Sequence, residues 1–111
     1  MLHMNVKAYT AAITATVVDV DIVGSCRFCW LDIGNVNAAV AYVQIFNIPA
    51  ASVTLGTTVP LLSIEIPATS GRVIANGPIM NFGGSGFSIA ATTTRGGLTA
   101  LASSVDINIA R

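Results

Sequence analysis

Charge is scarce in this chain, and so are the residues that usually carry chemistry. Of 111 residues, 9% are charged, with 5 Lys and Arg against 5 Asp and Glu, and there is 1 His. An ordinary soluble domain carries about 25% charge. The balance of signs leaves no basic stripe, so binding to nucleic acid or to anionic membrane lipid, which works through clustered Lys and Arg, has no support. With a formal net charge of zero, little repulsion keeps copies apart. Much of the surface is therefore expected to be covered by partners.

The single histidine, His3, lies near the amino terminus. A Ser, Thr or Cys nucleophile needs a base to activate it, so a Ser-His-Asp arrangement is not expected and neither is enzymatic activity. Asp19 and Asp21 stand two apart on one face of a predicted strand. They are a solvated edge or, in a groove, part of a calcium site, although calcium takes about six to eight oxygens and no other acid is near in sequence. Asp32, Glu65 and Asp106 are isolated.

The two cysteines form Cys26-x-x-Cys29. Structural zinc needs about four ligands, and only His3 and carboxylates are left to complete the set. A redox pair sits at a helix start in a βαβ setting, whereas here the motif leads into the strand-like FCWLDI. Residues three apart in a strand point to opposite faces. Two unpaired thiols are expected, a disulfide across a local bulge being the alternative. The sequence implies no metal and no cofactor.

Long hydrophobic runs are missing too. Hydrophobic residues supply 53% of the chain, but Thr, Ser, Asn and Gly interrupt them before the roughly 20 apolar residues of a membrane-spanning helix accumulate. The start, MLHMNVKAYT, has no continuous apolar segment of the kind a secretory leader carries.

What is present is β-branched and small. Val, Ile and Thr favour pleated strands, and larger side chains alternate with smaller or polar ones in Val6-Lys7-Ala8-Tyr9-Thr10, Ile13-Thr14-Ala15-Thr16-Val17 and Val18-Asp19-Val20-Asp21-Ile22. Further strands are expected at 28–33, 39–47, 61–66, 71–75, 87–92 and 105–109. Turn formers separate them: Gly24-Ser25, Gly34 to Asn37, Pro49, Gly56, Pro67 to Gly71, Asn76-Gly77-Pro78, Gly83 to Gly86 and Gly96-Gly97. About eight short strands with a turn signal every ten residues or so describe an all-β chain, a single antiparallel β-sandwich of jelly-roll or immunoglobulin-like topology. Residues 1–6 are expected to be an arm and 7–111 the one domain.

The glycine cluster at 83–86 lacks the Gly-Lys-Ser/Thr ending of a phosphate loop and precedes the β-like FSIAATTT. It is read as a loop between strands. Trp30, the only tryptophan, is read as a core or subunit-contact residue; with Tyr42 or Tyr9 it is also the stacking platform that a carbohydrate-binding sandwich would need.

Several stretches between residues 38 and 94 carry a resemblance. They are Ala41-Tyr42-Val43-Gln44-Ile45-Phe46-Asn47, Val53-Thr54-Leu55-Gly56-Thr57-Thr58-Val59-Pro60, Ile66-Pro67-Ala68, Phe82-Gly83 and Gly86-Phe87-Ser88-Ile89-Ala90-Ala91-Thr92-Thr93-Thr94. In these the chain resembles small β-sandwich structural proteins of tailed-bacteriophage virions. The resemblance implies a non-enzymatic capsid cement or decoration protein. It would bind the lattice of the major capsid protein on the capsid exterior, after assembly in the host cytoplasm. Since closed symmetry is the usual outcome for oligomers, a dimer or trimer is expected. A head-fibre or tail module is the alternative, and a carbohydrate-binding β-sandwich the second alternative. No site residues transfer with the resemblance.

On the cement reading, the expected contacts are the amino-terminal arm, including Met1, Leu2, His3 and Met4, the loop arginines Arg72 and Arg95, and Arg111. Arms order on docking, and arginine makes forked hydrogen bonds to partner carboxylates.

Overall fold

A computed structural model describes residues 8–20, 29–76 and 87–110, with side chains over 11–20, 32–71 and 88–108. Eight strands run through these residues: β1 Ala8–Ile13, β2 Val18–Val20, β3 Cys29–Asn35, β4 Ala41–Phe46, β5 Leu62–Ile66, β6 Ser70–Asn76, β7 Phe87–Thr92 and β8 Val105–Ala110. The only helical element among them is a 3-10 turn, Ala50–Ser52.

The pairing explains the architecture. β4 pairs with β5, β3 with β6, β2 with β7 and β1 with β8, all antiparallel. The chain is thus one long antiparallel ribbon doubled back at the segment between β4 and β5. Rolling that ribbon adds the pairings β3 with β8 and β4 with β7. Two four-stranded sheets result, β1-β8-β3-β6 and β2-β7-β4-β5. Of the two sandwich topologies expected, the rolled ribbon is the jelly roll; an immunoglobulin-like domain would distribute its strands differently between the sheets.

Alternation decides which side chains meet between the sheets. Ile33, Val105 and Ile107 come from the first sheet; Val20, Ala41, Val43, Ile45, Ile66, Ile89 and Ala91 come from the second; Ile13 closes the end of β1. All are buried. Each buried Val or Ile among them contributes about 1.5–3 kcal/mol by leaving water, which makes this layer the main source of stability.

One expected strand is a turn. Thr14 to Val17 connect β1 to β2 and carry the chain from one sheet to the other. Their alternation looked strand-like because Thr serves both roles. Here the Thr14 hydroxyl accepts a hydrogen bond from the Thr16 N–H at 3.1 Å, a local bond that competes with a ladder. The Thr14 carbonyl accepts from Ala91 N–H at 2.8 Å, tying the corner to β7. β1, Ala8–Ile13, ends where this corner begins, and Val6 and Lys7 of the first alternating run lie outside the described residues.

A candidate interaction surface on a third layer

The outer face of the second sheet is covered over its middle strands, β4 and β7. On β4, inward Ala41, Val43 and Ile45 alternate with outward Tyr42, Gln44 and Phe46, yet Gln44 and Phe46 are fully buried. On β7 the outward Ser88, Ala90 and Thr92 are fully buried as well. Phe46 and Ala90 stand apart from the core between the sheets. Two segments lie over them, residues 47–61 and residues 93–100.

Hydrogen bonds fasten both segments down. The Ser88 hydroxyl donates to Ile48 C=O at 2.8 Å, and the Asp19 carboxylate on β2 accepts from Ala50 N–H at 2.7 Å. Asp19 thus holds the first N–H of the 3-10 turn from an exposed position on the edge strand β2, a role outside the two readings of the sequence. The Gln44 amide donates to the Thr92 hydroxyl at 2.6 Å and to Gly97 C=O at 3.1 Å, and Thr92 donates onward to Thr94 C=O at 2.8 Å. Gly56 lies against Leu98, close enough that a Cβ there would meet the leucine at 2.6 Å, so the two segments touch each other.

Among the Thr, Ser and Asn residues that the layer shows to water stand three large apolar side chains. Val59, Leu61 and Leu98 are 86%, 53% and 63% exposed. Phe46, Ile48, Val59, Pro60 and Leu61 share an open hollow beside the 47–61 segment. No Lys, Arg, Asp or Glu occurs from residue 33 to residue 64. That gap in charge was visible in the sequence and is the signal that points to this surface.

Arg95 sits in the turn expected for it and is exposed. Its guanidinium is engaged within the chain: Nη1 donates to Ser63 C=O at 2.5 Å, and the group lies 5.1 Å from the centre of the Tyr42 ring. Tyr42 in turn donates to Glu65 Oε1 at 3.2 Å. Arg95 is a latch on the 93–100 segment, and it covers the ring that a carbohydrate would stack on. Arg72 is in strand β6 opposite Ile33, not in a loop. Met1, Leu2, His3, Met4 and Arg111 lie outside the described residues, as do Asp21, Cys26 and the 83–86 glycines. Cys29 begins β3 opposite Asn76, and Trp30 follows opposite Ala75 and Ala110. Of the expected contact residues only Arg72 and Arg95 fall among the described ones, Arg72 on β6 of the first sheet and Arg95 in the segment over the second.

A second cluster was hidden in a turn signal. Asn35 and Asn37 are 2% and 5% exposed. The Asn35 amide donates to Ala39 C=O at 3.0 Å, Ile66 C=O at 3.2 Å and Pro67 C=O at 3.1 Å. Its Oδ1 accepts from the Asn37 backbone N–H and side-chain amide. Asn37 continues to Ser103, donating to its C=O at 2.9 Å and accepting from its N–H at 2.7 Å, while its own carbonyl accepts from Thr69 N–H. Two side chains therefore pin three connections, β3 to β4, β5 to β6 and β7 to β8, at one end of the sandwich. Gly34-Asn35-Val36-Asn37 was read as turn formers alone; the spacing of two asparagines on one face was the available sign.

Among the described residues no three of His, Cys, Asp or Glu come together. No family model, curated protein or solved structure matches the chain. The fold defines the class, an eight-stranded β-sandwich of jelly-roll topology, and a fold of this kind serves many functions.

Proposed function

We propose that this protein is a non-enzymatic structural component of a tailed-bacteriophage virion, a cement or decoration protein that binds the lattice of the major capsid protein from outside. The observation that carries this reading is the third layer, whose 47–61 segment has no charged residue and which exposes Val59, Leu61 and Leu98. Exposed apolar surface of this kind marks protein contact sites. The resemblance adds support, because Ala41 to Asn47, Val53 to Pro60, Ile66 to Ala68 and Phe87 to Thr94 fall on this sheet and its covering segments.

Cement action needs only differential binding. A protein that binds assembled lattice and not free subunits stabilises the lattice by about 4 kcal/mol per site when present at 1,000 times its dissociation constant. Weak contacts repeated over many sites are sufficient for a heat-resistant shell.

Purified virions test the reading. The chain is expected in fixed stoichiometry to the major capsid protein, and Val59→Asp with Leu61→Asp should abolish rebinding to particles stripped of it. A few copies per particle, located at the tail or on fibres, would replace the cement reading with the head-fibre or tail alternative. Absence from particles would end both.

A further inference from the structure

Beneath its cover the second sheet carries a polar pair. Gln44 on β4 stands directly opposite Ser63 on β5, and facing residues of neighbouring strands share a face. Leu62 and Ile64, on either side of Ser63, pack against the core, so Ser63 and Gln44 both point to the outer layer. Gln44 is fully buried. Its partners settle which way its amide is turned. Gly97 C=O can only accept, and the Thr92 hydroxyl spends its proton on Thr94 C=O, so both demand the NH2 group of Gln44. The carbonyl oxygen Oε1 is left on the other side, sealed from bulk water and without a hydrogen-bond partner among the described residues. The hydroxyl of Ser63 is in the same condition. Among the described residues these are the two buried side-chain oxygens left unpaired, and they sit on facing positions.

We infer that Gln44 Oε1 and Ser63 Oγ hold one structural water molecule between them. The occupant follows from what the two atoms need. An amide carbonyl only accepts, while a serine hydroxyl donates once and accepts; water, with two protons and two lone pairs, satisfies both at once. Buried waters characteristically bridge polar groups that the chain itself leaves unpaired. Serine is also the shortest hydroxyl side chain, and with facing Cβ atoms about 4.5–5.5 Å apart its oxygen stops short of the glutamine carbonyl. The water closes a ring of bonds. Arg95 reaches Ser63 C=O, Ser63 reaches the water, the water reaches Gln44, and Gln44 returns to Gly97 C=O in the same segment as Arg95. Segment 93–100 is thereby fastened to β4 and β5 together. This role is independent of whether the protein decorates a capsid.

A crystal structure of the full chain at about 1.5 Å resolution tests the inference. One ordered water is expected within about 2.5–3.0 Å of both oxygens. A direct bond from Ser63 to Gln44, another protein partner for Oε1, or no water between the two oxygens would overturn it. Oxygen-17 relaxation dispersion checks the site in solution. The parent should hold one more long-lived water than Ser63→Val, whose methyl groups take the water's place and offer it no hydroxyl. Equal counts in the parent and a folded Ser63→Val would also overturn the inference. If that variant does not fold, the crystal structure of the parent decides alone.

Discussion

The two sheets of this molecule are built from similar residues and are buried differently. In the first sheet, β8 alternates strictly: Val105 and Ile107 are buried, Asp106 and Asn108 exposed. In the second, β4 buries Ala41, Val43, Gln44, Ile45 and Phe46 in near succession. Among the described side chains, β8 of the first sheet shows one face to the core and one to water, as an antiparallel sheet commonly does. The second is covered on both sides at its middle strands β4 and β7, on one by its partner sheet and on the other by residues 47–61 and 93–100. The difference shows that long connections in a small jelly roll can act as a packed layer and not merely as links.

The strongest way to break this comparison is to remove one large side chain from each layer. Ile107→Ala opens the core between the sheets, and Phe46→Ala opens the space beneath the outer layer. Both residues are fully buried or nearly so. If the outer layer is packed like a core, each change costs about 3–4 kcal/mol, as large-to-small substitutions in cores do. Urea unfolding of the two variants checks this. A loss below about 1 kcal/mol for Phe46→Ala alone would mean that the covering segments are draped over the sheet and not packed on it.

Next in size is Asn35→Ala. Asn35 ends β3 in the first sheet and reaches Ile66 and Pro67 at the end of β5 in the second, so it fastens the two sheets at one end. Its loss strands buried carbonyls, at about 1–3 kcal/mol for each group left without a partner. A total near 3 kcal/mol is expected in thermal or urea unfolding, with faster amide exchange at Asn37, Thr69 and Ser103, whose N–H groups depend on the same cluster. Asn35→Asp should recover little, because a carboxylate accepts where this site must donate.

The same contrast explains what was legible in the sequence. β8 and β7 were expected at 105–109 and 87–92 and are found at Val105–Ala110 and Phe87–Thr92, because their alternation is regular and turn formers flank them. The strand at Ala41–Phe46 was found too, through its β-branched and aromatic residues. Its second buried face was not, since Gln44 looks like a water-facing residue until Thr92 and Gly97 are brought to it by contacts across 48 and 53 residues. Arg95 was read as a partner-facing cation for the same reason: nothing local announces Tyr42 and Ser63. Asn35 and Asn37 suffered the opposite error, as the turn chemistry of asparagine obscured a buried role. Side chains whose partners lie far along the chain were invisible to pattern; strands whose signal is local were not.

Gly97→Ala sharpens the comparison at intermediate size. A Cβ at Gly97 would collide with the Thr94 hydroxyl and press on the Thr94 carbonyl at 3.1 Å, within a turn whose Gly97 N–H bonds that carbonyl. Backbone shifts of this kind cost about 1–3 kcal/mol when nothing nearby can yield, and a value near 1 kcal/mol is expected here because Thr94 is exposed. Its location matters more than its size. Amide exchange should rise at Thr93, which bonds Thr99 across the same segment, while Ile33 and Ile107 in the first sheet remain protected. Uniform loss of protection across both sheets would show that the outer layer and the core unfold as one unit.

Arg95→Ala is the smallest effect and the one that bears on function. An exposed guanidinium over an aromatic ring contributes about 0.5–1 kcal/mol, and its hydrogen bond to the Ser63 carbonyl involves a neutral acceptor. The stability change should therefore stay under about 1 kcal/mol and vary little with salt, since screening acts chiefly on pairs of charges. An arginine reserved for a partner carboxylate behaves in the reverse way: its loss leaves stability unchanged but weakens binding, and the weakening fades as salt rises. Measuring unfolding and particle binding of Arg95→Ala at about 0.05 and 0.5 M salt separates the two roles. The contacts with Tyr42 and Ser63 predict the first pattern, with particle binding retained through Val59 and Leu61. The second pattern would move the docking surface from the apolar residues of the outer layer to its single cation.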